Sequence, residues 1–152
     1  MKATLLRDDL IHPDLSFKIV GCAFDVFNSI GFGHLEKVYQ NALAIAFEKI
    51  GLKFAEQVKR EIIYEGKKLG YGKLDFLVED KIVVEIKRGN YFNPADFDQV
   101  KKYLDSKQLQ LGILIRFTPD KVLFKRVVNS ISERPENIVM EERSINEKSG
   151  NS

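Results

Sequence analysis

The chain has 152 residues, 44% of them hydrophobic, which suits one domain with a single core and leaves too little apolar surface for two. A formal net charge of +2 does not by itself imply a nucleic acid or a membrane, so any basic surface must come from local clustering of the 24 Lys and Arg residues. The one cysteine, Cys22, excludes an internal disulfide and a cysteine-rich metal site, and it reads as core packing in a reducing compartment. No run approaches the roughly 18 apolar residues of a membrane span, and the opening MKATLLRDDL meets acids before a signal-type apolar region can form. The expected location is therefore cytoplasmic, with no membrane partner. Two histidines, His12 and His34, are too few for a multi-histidine cage, so any metal would be held by oxygen, which favours Mg²⁺ or Mn²⁺.

In chain order, Ile19, Val20, Ala23, Phe24, Phe27 and Ile30 have the one-face spacing of an amphipathic helix over about 16–30. Gly31-Phe32-Gly33 interrupts it. A second stripe of Leu35, Val38, Tyr39, Ala42, Leu43, Ala46, Phe47 and Ile50 then predicts a helix that stops at Gly51. Strands follow near 58–64, 69–78 and 82–87, an antiparallel meander turning at Glu65-Gly66-Lys67 and at Glu79-Asp80-Lys81. Asn93-Pro94 supplies a cap and a first-turn proline, with Asp96 near the positive helix end, so a helix is expected to about Lys107 with Phe97, Val100 and Leu104 on its buried stripe. Two further strands, 111–117 and 122–128, flank the Thr118-Pro119-Asp120 turn. The order is ααβββαββ in one domain over 1–132, and the aperiodic segment 133–152 reads as a poorly ordered tail.

If Glu79-Asp80-Lys81 is the hairpin turn, Val78 pairs with Ile82, Leu77 with Val83 and Phe76 with Val84, which sets Asp75 opposite Glu85. Opposed like charges are destabilising unless something neutralises them, and a divalent cation would. Lys87 shares the face of Glu85, two residues on, so an ammonium lies beside that metal. Two acids and a lysine at one end of a hairpin point to metal-assisted phosphodiester hydrolysis; the bland alternative is a solvent-facing Glu–Lys pair. Glu36 falls on the apolar side of the second helix, with Tyr39, Leu43, Phe47 and Ile50, and should point inward, where a carboxylate needs a partner. Otherwise it only meets the helix dipole at a solvated end. Gln99 and Tyr103 share a helix face. Lys101, Lys102, Lys107, Arg88, Lys121, Lys125 and Arg126 offer phosphate contacts or simply a solvated surface.

These segments together carry a resemblance. Gly33-His34-Leu35-Glu36-Lys37-Val38-Tyr39 resembles the GxxExxY signature of a small family within the PD-(D/E)XK nuclease superfamily. Asp75-Phe76-Leu77-Val78, Glu85-Ile86-Lys87, Gln99 to Tyr103-Leu104 and Leu111-Gly112-Ile113-Leu114-Ile115 follow in order, so the likeness covers most of 11–129. It implies an α/β, restriction-endonuclease-like core: a mixed central sheet flanked by helices. It implies that Glu36, Asp75 and Glu85, with the carbonyl of Ile86, ligate Mg²⁺ or Mn²⁺, that Lys87 positions or activates the attacking water, and that Gln99 and Tyr103 orient the site and contact substrate. Where that family has Asn-Phe after its apolar strand, this chain has Arg116-Phe117, so Arg116 offers a phosphate contact or is neutral. The function expected is a metal-dependent nuclease acting on DNA ahead of RNA, with a homodimer or a partner subunit helping to select substrate. The alternative is a non-catalytic nucleic-acid-binding or partner-binding module on the same fold.

Overall fold

Pro13 starts the first helix ahead of its apolar stripe, because a first-turn residue has no intrahelical use for an N–H, and Asp14 lies against the positive helix end. The structure, a computed structural model, describes residues 11–89 and 91–129. Residues 1–10 and the tail expected over 133–152 lie outside them, as does the domain boundary at 132. Helix α1 covers Pro13–Ile30 and buries Ser16, Ile19, Cys22, Ala23 and Val26, while Phe24 is exposed. Burial raises the Cys22 thiol to about 11, with Asp25 adding to the effect, as befits a packing residue. Helix α2 covers Glu36–Lys49 and buries Tyr39, Gln40, Leu43 and Phe47. Its expected stripe is too wide, since Leu35, Val38 and Ile50 face solvent.

Strands β1 (Phe54–Tyr64), β2 (Lys67–Val78) and β3 (Ile82–Lys87) form the meander, α3 spans Pro94–Lys107, and β4 (Leu111–Phe117) and β5 (Val122–Val128) complete the chain. Both hairpin turns put two residues at positive φ, Glu65 with Gly66 and Glu79 with Asp80. That backbone twist matches antiparallel strands. The sheet order is β1-β2-β3-β4-β5, antiparallel except for β3 and β4, which are parallel and joined through α3. Helices α1 and α2 pack on one face, over Phe76, Val84, Ile86, Ile113 and Ile115. Helix α3 packs on the other, where Val100, Tyr103 and Leu104 meet Leu74, Val83, Leu114 and Val127. Covered on both sides, β4 is buried at every residue, which explains its unbroken apolar run. Gly112 lets α3 approach, because a Cβ there would lie 2.5 Å from Val100 Cγ1.

One local departure positions the site. Residues two apart on a strand should share a face, and on that rule Leu74 belongs with Phe76. Instead Phe76 packs under α1 and α2, whereas Leu74 and its partner Val58 pack under α3. Pairing of β1 with β2 runs Glu56↔Phe76 and then Val58↔Leu74, and the skipped residue, Gln57, has φ +52°. The ribbon turns at Gln57, and Asp75 sits at that turn.

Candidate functional site

The β2–β3 ladder runs Val78↔Ile82, Leu77↔Val83, Phe76↔Val84 and ends there, while β3 goes on pairing with β4 through Glu85↔Leu114, Ile86↔Ile115 and Lys87↔Arg116. The strands fork where the next backbone pair would be Asp75 with Glu85. Side chains bridge the gap: Ile86 N–H donates to Asp75 Oδ2 at 2.7 Å and Asp75 N–H donates to Glu85 Oε1 at 2.9 Å. Carboxylates thus take the place of ladder carbonyls, and both acids are held at one opening in the sheet.

Burial raises the Asp75 carboxyl, and nearby Glu36 adds to the effect against the lowering pull of the Ile86 hydrogen bond and Lys87. Burial, reinforced by Asp75, raises Glu85 to about 7, and Lys87 only partly offsets it. For Lys87, burial alone would lower the ammonium, but Glu85, Asp96 and Glu36 outweigh it and the net shift is upward. Lys87 Nζ lies 3.2 Å from Glu85 Oε2 and 3.6 Å from Asp96 Oδ1. Its ammonium stays charged. The negative charge nearby exceeds what one ammonium neutralises, and the donors are hard oxygens, so the residues fit a divalent cation of the Mg²⁺ class. Among the described residues no three His, Cys, Asp or Glu side chains are gathered as a ready-made cage. Asp75 and Glu85 spend oxygens on backbone N–H groups, and Glu36 does the same.

Glu36 does not point into the core as its stripe implied; it is exposed in the first turn of α2. From there its Oε2 accepts from Arg88 N–H at 3.1 Å, which brings it to the end of β3. The loop before α2 is shaped for this approach. Gly31 and Gly33 take φ +72° and +103°, Tyr39 Oη donates to Gly31 O at 2.6 Å, and His34 Nε2 bonds Ile30 O at 2.7 Å.

Over residues 13–127 the sequence matches the PD-(D/E)XK nuclease superfamily. The chain belongs to that superfamily. Its mixed five-stranded sheet, flanked by helices in the order ααβββαββ, is the restriction-endonuclease-like core. Among solved structures it is similar to the crystal structure of SSO0001, with 22% identity and TM-score 0.48 over 70% of this chain and 55% of that one. It is also similar to an alkaline exonuclease (LHK-Exo) from Laribacter hongkongensis, with 16% identity and TM-score 0.46 over 76% of this chain and 64% of that one. The chain therefore spans less than two thirds of the length of either protein. No curated protein matches it.

In this PD-(D/E)XK chain the third wall of the site is α3. Asn93 Oδ1 caps the helix by accepting from Ala95 N–H at 2.9 Å, and Asp96, in the first turn, faces Lys87. Gln99 and Tyr103 continue the face of Asp96 at helical spacing. Tyr103 is buried, which raises its phenol, and among the described residues no hydrogen bond or ion pair joins Gln99 or Tyr103 to the acids. Arg116 is not a phosphate contact. It is 4% exposed, its Nη2 lies 3.0 Å from Asp96 Oδ2, its Nη1 donates to Arg88 O, and its guanidinium lies over the Phe92 ring. Arg126 likewise turns inward, donating to Ser16 Oγ and Ile11 O where α1 begins.

Sequence reasoning missed three residues that shape the site. Asp96 was read only as a helix-end charge, yet it joins Lys87 to Arg116. Gln40, 3% exposed, donates to Glu56 Oε1 at 2.9 Å and accepts from Gln57 Nε2 at 2.7 Å, so it clamps the turn of β1 that lies beside Asp75. A signal existed: Gln40 stands three and seven residues before Leu43 and Phe47, on their buried face. For Gln57 there was no such signal, because a glutamine at positive φ is not marked by residue type.

Proposed function

We propose that this chain is a divalent-metal-dependent nuclease that hydrolyses phosphodiester bonds, with DNA as its substrate ahead of RNA. The observation that carries the proposal is the fork, where Asp75, Glu85 and Lys87 meet and Glu36 closes in from α2. Glu36, Asp75 and Glu85 with the carbonyl of Ile86 would hold Mg²⁺ or Mn²⁺; such an ion, when bound, acts as a Lewis acid on the phosphate and lowers the pKa of water. Lys87, charged and fixed between Glu85 and Asp96, orients the attacking water and offsets the charge that gathers at phosphorus. Gln99 and Tyr103 stand on the α3 face that begins at Asp96, which supports a role in orienting substrate. The positive φ of Gly33, the reach of Glu36 to Arg88 and the Tyr39 bond to Gly31 support membership of the GxxExxY group, since each residue of that signature has a task in the loop.

Lys87→Ala tests this directly. Cleavage of DNA under Mg²⁺ or Mn²⁺ should fall about a hundredfold or more while far-ultraviolet circular dichroism stays unchanged. Full activity in that variant would remove the assignment.

One observation favours a second reading: Glu85 accepts from Asp75 N–H and Asp75 accepts from Ile86 N–H, so the acids themselves bridge the fork as structural acceptors. A non-catalytic nucleic-acid-binding or partner-binding module would use them in that way. Nucleic-acid binding that persists in EDTA, with no cleavage under either metal, would select this reading.

A further inference from the structure

A cavity of about 480 Å³ opens beside Lys87, between the Gly31-Phe32-Gly33 loop and the end of β3. Its size lies in the range of small-molecule sites, roughly 300–1,000 Å³. One wall is a rigid aromatic stack: the Tyr39 and Phe117 rings lie 4.0 Å apart and 6° from parallel, and His34 meets Tyr39 edge-on at 5.6 Å. Phe32 also lines the cavity yet is 52% exposed, so this large ring is held at the mouth by glycines on both sides, not packed in the core. Lys87 and Arg88 supply cations at the same mouth. Because Ile30 O can only accept, His34 Nε2 carries the proton of their bond, and Nδ1 is an acceptor in the neutral ring.

We propose that this cavity is a nucleobase subsite of the cleavage site, and the inference rests on the nuclease reading for the position of the phosphate. An apolar, aromatic slot beside paired cations matches one nucleotide: a planar base with a phosphate attached. The base lies against Phe32, and its phosphate meets Lys87 and Arg88. Aromatic platforms accept every base, because each has a π-face, so the slot confers little sequence preference. A stacked, paired base cannot enter it, so single-stranded DNA and frayed ends are favoured over intact duplex, which would first have to turn a base out.

The test is calorimetric binding of deoxyadenosine 5′-monophosphate and of deoxyribose 5-phosphate to the full chain, with cleavage of single-stranded DNA under Mn²⁺ assayed separately. The mononucleotide should bind about tenfold tighter than the sugar phosphate. Phe32→Ala should abolish that difference and Phe32→Trp should keep it, with the melting temperatures of both variants unchanged because the ring is half-exposed. Equal binding of the two probes to the wild type, or a difference that survives in Phe32→Ala, would overturn the subsite. Mononucleotide binding that depends on Phe32, in a protein that cleaves nothing, would defeat the nuclease reading and leave the subsite standing. Cleavage with no preference between the probes would do the reverse.

Discussion

Two Glu–Lys pairs, one on the β1–β2 arm and one at the fork, have opposite electrostatics. On the arm, Lys68 Nζ lies 2.8 Å from Glu61 Oε2 with both side chains more than half exposed, and the hydrogen bond and charge of Lys68 lower the Glu61 carboxyl. At the fork, Lys87 Nζ lies 3.2 Å from Glu85 Oε2, and burial raises that carboxyl to about 7. The longer, buried pair leaves its acid poorly neutralised, while the shorter, solvated pair satisfies its own. Distance does not decide the outcome; burial does. The ribbon follows the same division. Its inner half packs Phe54, Val58, Leu74 and Phe76 against the helices, whereas its outer half leaves Ile63, Tyr64, Leu69 and Tyr71 in solvent. One end of β2 therefore builds an acidic centre whose charge is poorly neutralised, and the other leaves apolar side chains in solvent.

The comparison breaks most severely at Asp96. Asp96→Ala leaves Arg116 charged and buried without its carboxylate, which should cost about 3 kcal/mol. Urea denaturation measures that loss, and an unchanged midpoint would show that Arg116 does not depend on the pair. A smaller effect is expected at Gln40, which touches neither metal nor substrate. Gln40→Ala should cost about 1 kcal/mol by removing its bonds to Glu56 and to half-buried Gln57, and should lower cleavage by releasing the turn beside Asp75. A variant with lowered stability but full activity would remove Gln40 from the account of the site.

The arm should respond least. Leu69→Lys adds charge to an already exposed position and should change stability by no more than about 0.5 kcal/mol. Sedimentation equilibrium tests whether the homodimer expected from the sequence forms through the arm: a dimer lost in that variant places the second copy there, and an unchanged state removes the arm from assembly.

Legibility in the sequence followed the same physical division. Where periodicity and turn chemistry agree, the fold was readable: β3, α3, β4 and β5 have the expected bounds, and the Val78↔Ile82 register follows from the Glu79-Asp80 turn. β1 begins at Phe54, ahead of the expected Val58, because Ala55, Glu56 and Gln57 lack a strand-like alternation. Strand alternation places Leu74 on the face of Phe76, and nothing in the residue types reveals the turn at Gln57 that moves it to the other. The neighbourhood of Asp75, Glu85 and Lys87 was legible because hairpin register alone brings them together. Arg116 was not, because a buried arginine is known only by its partners, and Asp96 lies twenty residues away. The inward stripe expected for Glu36 did not reveal its geometry, an exposed carboxylate that reaches the end of β3. Its contact with Arg88 spans fifty-two residues of chain.

The central claim is that the fork holds a divalent ion, and calorimetric titration of Mn²⁺ into the full chain tests it without any knowledge of substrate. Asp75→Asn and Glu85→Gln should each abolish the binding seen in the wild type. Because ligation requires the ionised carboxylate, and Glu85 titrates at about 7, wild-type affinity should rise as pH increases through 7. Binding that persists in both variants, or a folded wild type that takes up no Mn²⁺ at pH 8, would contradict the account.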